Sequence, residues 1–284
     1  MSAWFLKDTA SSFVAPVVLA SPHSGRAFPP GFLENVLPDQ AALARAEDRL
    51  VDELVMPARK AFDLPLLYAR WSRTYLDLNR DVTELDPAIV TGAPAFQPSA
   101  RVKSGLGVLP RIATPGVPLY SEPLSLEEAH RRIREVHIPY HAKLGALLAR
   151  ARAANGFAVL IDCHSMPPLP RRNGRSGPRI VLGDRDGKSA DRRITACMES
   201  SWGRDVETAR NAPYAGGYAT AHFGVPAMGT HAVQLEIDRS LYLNMATLTP
   251  NADFAAVSAR VTDMVGDLLA RLGREFGLSQ IAAE

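Results

Sequence analysis

His23 and His164 each follow a short apolar run, and Asp48 lies between them in the chain. Two imidazoles and one carboxylate are the protein donors of many catalytic zinc sites, where the fourth position stays open to water or substrate. The same residue types also serve as turn and N-cap residues satisfied by backbone hydrogen bonds, and spacing alone does not separate the two readings. The setting of His164 adds weight to the metal reading. The run Phe157-Ala158-Val159-Leu160-Ile161 passes straight into Asp162-Cys163-His164-Ser165, and a histidine at the end of a buried strand needs a reason. Asp162 can orient such a ligand from behind. Glu47 beside Asp48 leaves a one-residue ambiguity in the carboxylate ligand.

Arg73, Asn79 and Arg80 form a second group. Two arginines in one segment can offer a fork for a carboxylate and a donor for a developing oxyanion. The alternative is an ion-pair cluster with Asp77 or Asp81. Glu236, following Val233 and Leu235, is a candidate general base, or else the partner of Arg239 in a buried ion pair. His137 and His141 have the i, i+4 spacing of zinc metalloproteases, but Ile138 occupies the place of the catalytic Glu and Pro139 disrupts the turn. Both are read as structural or supporting residues. His130 reads as solvated. His222 and His231 flank a Gly-containing stretch and read equally as site or loop residues, while Trp71, Tyr75 and Phe96 read as core and not as a base-stacking platform.

These residues must be positioned by recognisable elements. Val14–Ala20 reads as a strand ending in the turn Ser21-Pro22-His23-Ser24-Gly25, the place where open α/β sheets carry their sites. From Ala41 to Phe62 the spacing of Leu43, Leu50, Leu54 and Val55 predicts one helix, with Asp48 and Asp52 on a shared face. Leu64–Tyr68 reads as a strand, Arg73–Arg80 as a second extended segment, and Thr83–Tyr120 as a long functional loop. A capping box of Ser125 and Glu128 opens a helix running toward Ala154, kinked or divided at Pro139. Phe157–Ile161, Arg179–Leu182 and Ala232–Ile237 read as strands, Ser189–Trp202 as a helix, and the stretch from Phe254 to Phe276 as an amphipathic helix. Strands alternating with helices predict an α/β fold, a central mixed sheet flanked by helices on both faces.

The 284 residues carry 46% apolar and 22% charged residues, a balance that excludes disordered, collagen-like and coiled-coil chains. One elaborated domain spanning residues 1–284 is expected. A net charge of +2 does not argue for nucleic acid or an anionic membrane as partner, which leaves a small-molecule ligand. Cys163 and Cys197 are the only cysteines, too few for a disulfide framework or a cysteine zinc ribbon, and a reducing cytoplasm is expected. No membrane-spanning run is present in the sequence, and oligomeric state is not legible.

Taken in order, the segments resemble the N-formylglutamate amidohydrolase family from about Ser21 to Asn244. They are Ser-Pro-His23-Ser-Gly, Asp48 with Asp52, Arg70-Trp-Ser-Arg73 leading to Asp77-Leu-Asn79-Arg80, Pro118-Leu-Tyr120 and Pro139-Tyr140-His141. Asp162-Cys-His164-Ser, Gly216-Gly217-Tyr218 with His222-Phe-Gly, and Gln234-Leu-Glu236 followed by Tyr242 complete the set. The resemblance implies a fold distantly similar to zinc carboxypeptidases and aspartoacylases (phosphorylase/hydrolase-like) and a metal-dependent amidohydrolase acting on linear amides. It implies Zn2+, or another divalent metal, on His23, Asp48 and His164. Glu236 is then the base, Arg73 faces the oxyanion, and Asn79 and Arg80 bind an N-formyl-L-glutamate or similar N-acyl amino-acid substrate. The rival readings are a hydrolase of another N-acyl amino acid or small peptide and a non-catalytic carboxylate-binding protein. Two departures stand out: Asp81 where the family often has Pro, and a short segment from Pro167 to Arg179, rich in Arg and Pro, that is expected to shape the acyl or amino-acid pocket.

Overall fold

The computed structural model describes residues 2–8, 15–94, 97–170, 177–203 and 205–275. In chain order the strands are β1 (Trp4–Lys7), β2 (Val17–Ser21), β3 (Leu66–Ala69), β4 (Val90–Thr91), β5 (Ile112–Thr114), β6 (Val117–Pro118), β7 (Leu124–Ser125), β8 (Ala158–Met166), β9 (Ile180–Gly183), β10 (Thr208–Arg210) and β11 (Thr230–Asp238). The helices are α1 (Gln40–Ala44), α2 (Val51–Ala61), α3 (Ala100–Lys103), α4 (Leu126–Arg132), α5 (Ile138–Asn155), α6 (Arg192–Ser200), α7 (Tyr218–Phe223) and α8 (Phe254–Glu275). Contacts gather the chain into two compact units. One holds Leu6–Ala20, Leu50–Leu66 and the chain from Gly145 onward; the other holds the first residues, Ser21–Arg49 and Leu67–Leu144.

The sheet has the order β1-β3-β2-β8-β11-β9-β10 and is mixed. β2, β8 and β11 run parallel, β9 runs antiparallel to β11, and β10 is parallel to β9. Every residue of β2 and β8 is buried, so both faces of the central strands are covered. That double cover is why the sequence shows continuous apolar runs there and not alternation. β8 continues four residues past the expected stretch plus one more, to Met166, so His164 lies within the strand. Its ladder with β11 supplies the backbone bonds that let Asp162 and His164 stay in a buried strand.

In the same unit α8 lays Val257, Val261, Met264, Val265, Leu268 and Leu272 into the core, and α2 contributes Leu54, Val55 and Ala58. Each large side chain so buried contributes about 1.5–3 kcal/mol relative to exposure. Ser258 Oγ donates to the Leu54 carbonyl at 2.7 Å, which ties the two helices together. A Cβ on Gly266 would stand 2.9 Å from Phe62 Cζ, so a larger residue there would have to push the Phe62 ring aside.

The other unit departs from expectation where polar residues do chemistry. The single helix expected over Ala41–Phe62 is broken: α1 ends at Ala44, and Leu50 takes a left-handed backbone with φ of 63° before α2 begins. Asp48 therefore sits in the break and shares no helix face with Asp52; its amide donates to the His23 carbonyl at 3.0 Å. Periodicity continued across the gap because the apolar residues on either side face the core. Arg73–Arg80 is a series of turns, not an extended segment. The loop expected over Thr83–Tyr120 contains β4, α3 and the antiparallel pair β5–β6 among its described residues.

Ser125 caps α4 by accepting from the Glu128 amide at 3.1 Å, while the Glu128 carboxylate turns to Arg131 and Arg132. Pro139 neither ends nor divides this helix. Ile133–His137 widens into a π segment, and the Ile138 amide bonds the Ile133 carbonyl, a register that makes room for a residue without an N–H. No described helix is long and apolar enough to cross a membrane. Val14, Phe96, Arg171 and Phe276, named in the sequence reading, lie outside the described residues.

Candidate active site

His23 follows β2 in a turn that passes close under another backbone. A Cβ on Gly25 would lie 2.1 Å from the Trp71 carbonyl oxygen, so only glycine fits, and Ala27 and Ser72 bond across the same approach. The His23 ring has a carboxylate beside each nitrogen. Nε2 is 2.7 Å from Asp77 Oδ1, and Nδ1 is 3.3 Å from Asp48 Oδ2. Both partners are carboxylates that can only accept, so a proton on Nε2 toward Asp77 puts the Nδ1 lone pair opposite Asp48, which a cation between them would relieve.

Asp77 also takes Arg73 Nη2 at 2.6 Å and the Asn79 amide at 2.8 Å. Burial alone would raise its pKa, but Arg73, His23 and Arg80 hold the carboxyl well below the usual carboxylate range. Arg73 stands 4.0 Å from Asp48 as well, so one guanidinium serves two carboxylates. Arg80 is buried, and donates Nε to the Leu106 carbonyl and Nη1 to the Asn79 carbonyl, each at 2.8 Å, which fixes the plane of its fork. Burial, opposed by Asp77, lowers its pKa, with Arg73 and Arg101 adding to the fall; a buried cation in such company favours an anionic ligand. His137 and His141 lie behind this segment, rings 4.3 Å apart, with Nε2 atoms on the Arg80 carbonyl at 2.9 Å and the Leu78 carbonyl at 2.8 Å.

In the sheet unit, β8 and β11 pair so that Glu236 stands beside His164 and Gln234 beside Asp162. Residues paired in this way project to the same face of a sheet. Gln234 Nε2 donates to Glu236 Oε1 at 2.7 Å and orients the carboxylate. Asp162 is fully buried; its Oδ2 lies 3.0 Å from His164 Nε2, yet neither oxygen receives an aligned hydrogen bond from a described residue. Arg239 donates Nε to Ser165 Oγ at 3.0 Å.

The ligand atoms of His23, Asp48 and His164 all lie within 4.8 Å of one another, and all three residues are buried: the group can hold a metal ion. The donor set fits one. A tetrahedral ion with bonds of about 2.0–2.1 Å separates its ligands by roughly 3.3–3.4 Å, and His23 Nδ1 and Asp48 Oδ2 are 3.3 Å apart. A buried carboxylate without hydrogen bonds, as at Asp162, is costly unless positive charge lies near, which an ion on the adjacent His164 would supply. Glu47 is buried too, but pairs with Arg49 at 2.8 Å.

Of the remaining histidines, His130 is exposed, His222 stacks on Tyr218 with ring centroids 5.0 Å apart, and His231 Nδ1 accepts the Asp191 amide at 3.2 Å. Arg179 is committed to Asp238 at 2.6 Å and Ser240 at 3.1 Å. Sequence reasoning missed Asp77 as the residue that joins His23 to Arg73, and Gln234 as the partner of Glu236. For Asp77 the signal was its nearness to Arg73 and Arg80, which marked it only as an ion-pair partner; for Gln234 it was the two-residue spacing from Glu236, which puts both on one face of a strand.

The profile of the N-formylglutamate amidohydrolase family matches residues 15–243. An N-formylglutamate deformylase of Pseudomonas aeruginosa is 30% identical over 270 residues, covering 92% of this chain and 94% of that protein. One of Pseudomonas putida is 30% identical over 252 residues, covering 80% and 82%. The crystal structure of an N-formylglutamate amidohydrolase from Ralstonia eutropha superimposes with a TM-score of 0.89 at 29% identity, covering 96% of this chain and 99% of that one. With the profile spanning most of its length and the fold shared throughout, the chain is a hydrolase that belongs to the N-formylglutamate amidohydrolase family.

Proposed function

We propose that the protein hydrolyses the amide bond of N-formyl-L-glutamate, or of a closely similar N-formyl or short N-acyl amino acid, to formate or a short acid and the free amino acid. The observation that carries this reading is the buried His23, Asp48 and His164 group, with Glu236 next to His164 in the β8–β11 register. The names of the relatives supply the substrate class.

Zinc, or another divalent ion, on His23, Asp48 and His164 would supply Lewis acidity to the amide carbonyl and lower the pKa of water toward about 7. Glu236, oriented by Gln234, accepts the proton of the attacking water and delivers it to the leaving nitrogen as the C–N bond breaks. Arg73, anchored by Asp77, faces the oxyanion that develops on the carbonyl oxygen. Asn79 and Arg80 receive the α-carboxylate, and the carbonyls that fix the Arg80 fork make that contact directional.

The deciding experiment pairs metal analysis of purified protein with formate release from N-formyl-L-glutamate across a series of acyl groups and amino acids. About one zinc per chain and a preference for formyl over acetyl on glutamate are expected. Full activity in metal-free protein would overturn the metal assignment, and no turnover of any N-acyl amino acid would overturn the activity.

A further inference from the structure

A second concavity lies wholly within the unit that holds Ser21–Arg49 and Leu67–Leu144, in residues the proposed reaction does not use. It has a volume of about 690 Å³, inside the ~300–1,000 Å³ typical of small-molecule sites. Phe32, Trp71, Tyr75 and Tyr120 give it aromatic walls, and Arg131 and Arg132 reach it from the α4 side.

Arg132 is buried among these rings, its guanidinium carbon 4.2 Å from the Tyr75 centroid, 5.7 Å from Phe32 and 5.8 Å from Tyr120. Its Nε donates to Glu128 at 2.7 Å, and Nη1 to the Tyr75 carbonyl at 3.0 Å and the Tyr120 hydroxyl at 2.9 Å. Arg131 donates to the Tyr75 hydroxyl at 3.2 Å. Each phenol oxygen thus already accepts from a cation, and its own hydrogen is left to donate. Burial, which outweighs the nearby arginines, raises both tyrosine pKa values, so both hydrogens stay in place. Among the described residues, no acceptor meets either hydroxyl hydrogen, Arg132 Nη2 or the Trp71 indole N–H.

The charges refine the choice of ligand. Glu128 and Glu135 pair with Arg131 and Arg132, which leaves this part of the lining neutral, while exposed Glu34 and Glu122 add negative charge. The unmet donors can take one anionic group, and the net negative charge that Glu34 and Glu122 leave on the lining opposes a second. We propose that this cleft binds a small monocarboxylate with an apolar body, its carboxylate on the Tyr75, Tyr120, Arg132 and Trp71 donors and its body on the aromatic faces. The dianionic N-formylglutamate is a poor match for it, so the cleft takes a different ligand from the proposed reaction.

Calorimetric titration of the whole chain with benzoate, and with benzamide as the uncharged isostere, tests the assignment. Saturable benzoate binding is expected, with benzamide at least 10-fold weaker. Tyr120→Phe keeps the ring over Arg132 but removes the hydroxyl, and should weaken benzoate about 10-fold while formate release stays at the wild-type rate. Trp71→Phe removes a second donor and carries the same expectation should Tyr120→Phe fold poorly. Arg80→Lys should leave benzoate binding unchanged. No saturable binding, equal affinity for benzoate and benzamide, or binding lost in Arg80→Lys and retained in both aromatic variants would each overturn the proposal.

Discussion

Asp77 has partners of three kinds: a ring nitrogen of His23, the guanidinium of Arg73 and the amide of Asn79. Removing its charge should therefore act in several places at once. Asp77→Asn is expected to lower metal affinity about 10- to 100-fold, as loss of a carboxylate behind a ligating histidine does, and competition with a chelator would measure it. Glu236 is assigned a different task. Glu236→Gln keeps the shape and the contact with Gln234 but removes the base, so kcat should fall roughly 100-fold or more with metal content unchanged. The proposed carboxylate clamp has its own signature: an α-amidated substrate should lose about 2–4 kcal/mol in kcat/KM if Asn79 and Arg80 keep their donors without the anion. Arg80→Lys should erase most of that discrimination, since an ammonium cannot replace a planar fork. His23 and His164, which the structure groups with Asp48, were legible because each stands where an apolar strand ends or turns polar. Asp77 was not, because its importance lies in a partner 54 positions earlier, and the local sequence offers Arg73 and Arg80 as equally plausible partners.

Elements were legible wherever burial imposes a period, and misread where a site interrupts it. The amphipathic α8 and the apolar core of β8 follow directly from their apolar spacing. The break at Asp48 does not, because a left-handed Leu50 has no sequence marker; glycine or asparagine would have announced it. The π segment of the α4–α5 helix was announced only as a proline, and its effect is to bring His137 and His141 onto the carbonyls either side of Asn79. His141→Ala would strand the buried Leu78 carbonyl and is expected to cost about 1–3 kcal/mol in urea unfolding, with KM rising more than kcat falls. A second element reports on pH. Asp191 caps α6 through the Arg193 amide, and hydrogen bonds from Arg193 lower its carboxyl pKa to about 2. A depressed carboxyl stabilises the fold above its unfolded pKa of about 3.9 and loses that contribution as pH falls toward 2. Beside it His231, its pKa lowered by burial and its Nδ1 accepting the Asp191 amide, must be neutral, so its share is complete above about 6.5 and falls below it. Urea midpoints measured against pH should decline in both windows, and Asp191→Asn should flatten the lower one.

At the scale of the whole chain, composition and the alternation of strands and helices were enough for a mixed sheet with covered faces. The strand order was not legible, because nothing local tells β2 that its neighbours are β3 and β8. That pairing has a consequence for how the protein is made. Val17 lies opposite Val159, so a wholly buried strand near the start of the chain must find a partner roughly 140 residues later. At translation rates of about 5–20 residues per second, β2 emerges some 7–30 s before β8 exists. During that interval Val17, Val18 and Leu19 can have only β3 beside them, and the edge that β8 will cover stays open. A ribosome-bound chain ending before β8 should therefore be cut readily by protease in this stretch and bind chaperones there, and protection should appear only once β8 and β11 have been synthesised. The strand that delivers the first residue of the site is thus among the last to be locked in place.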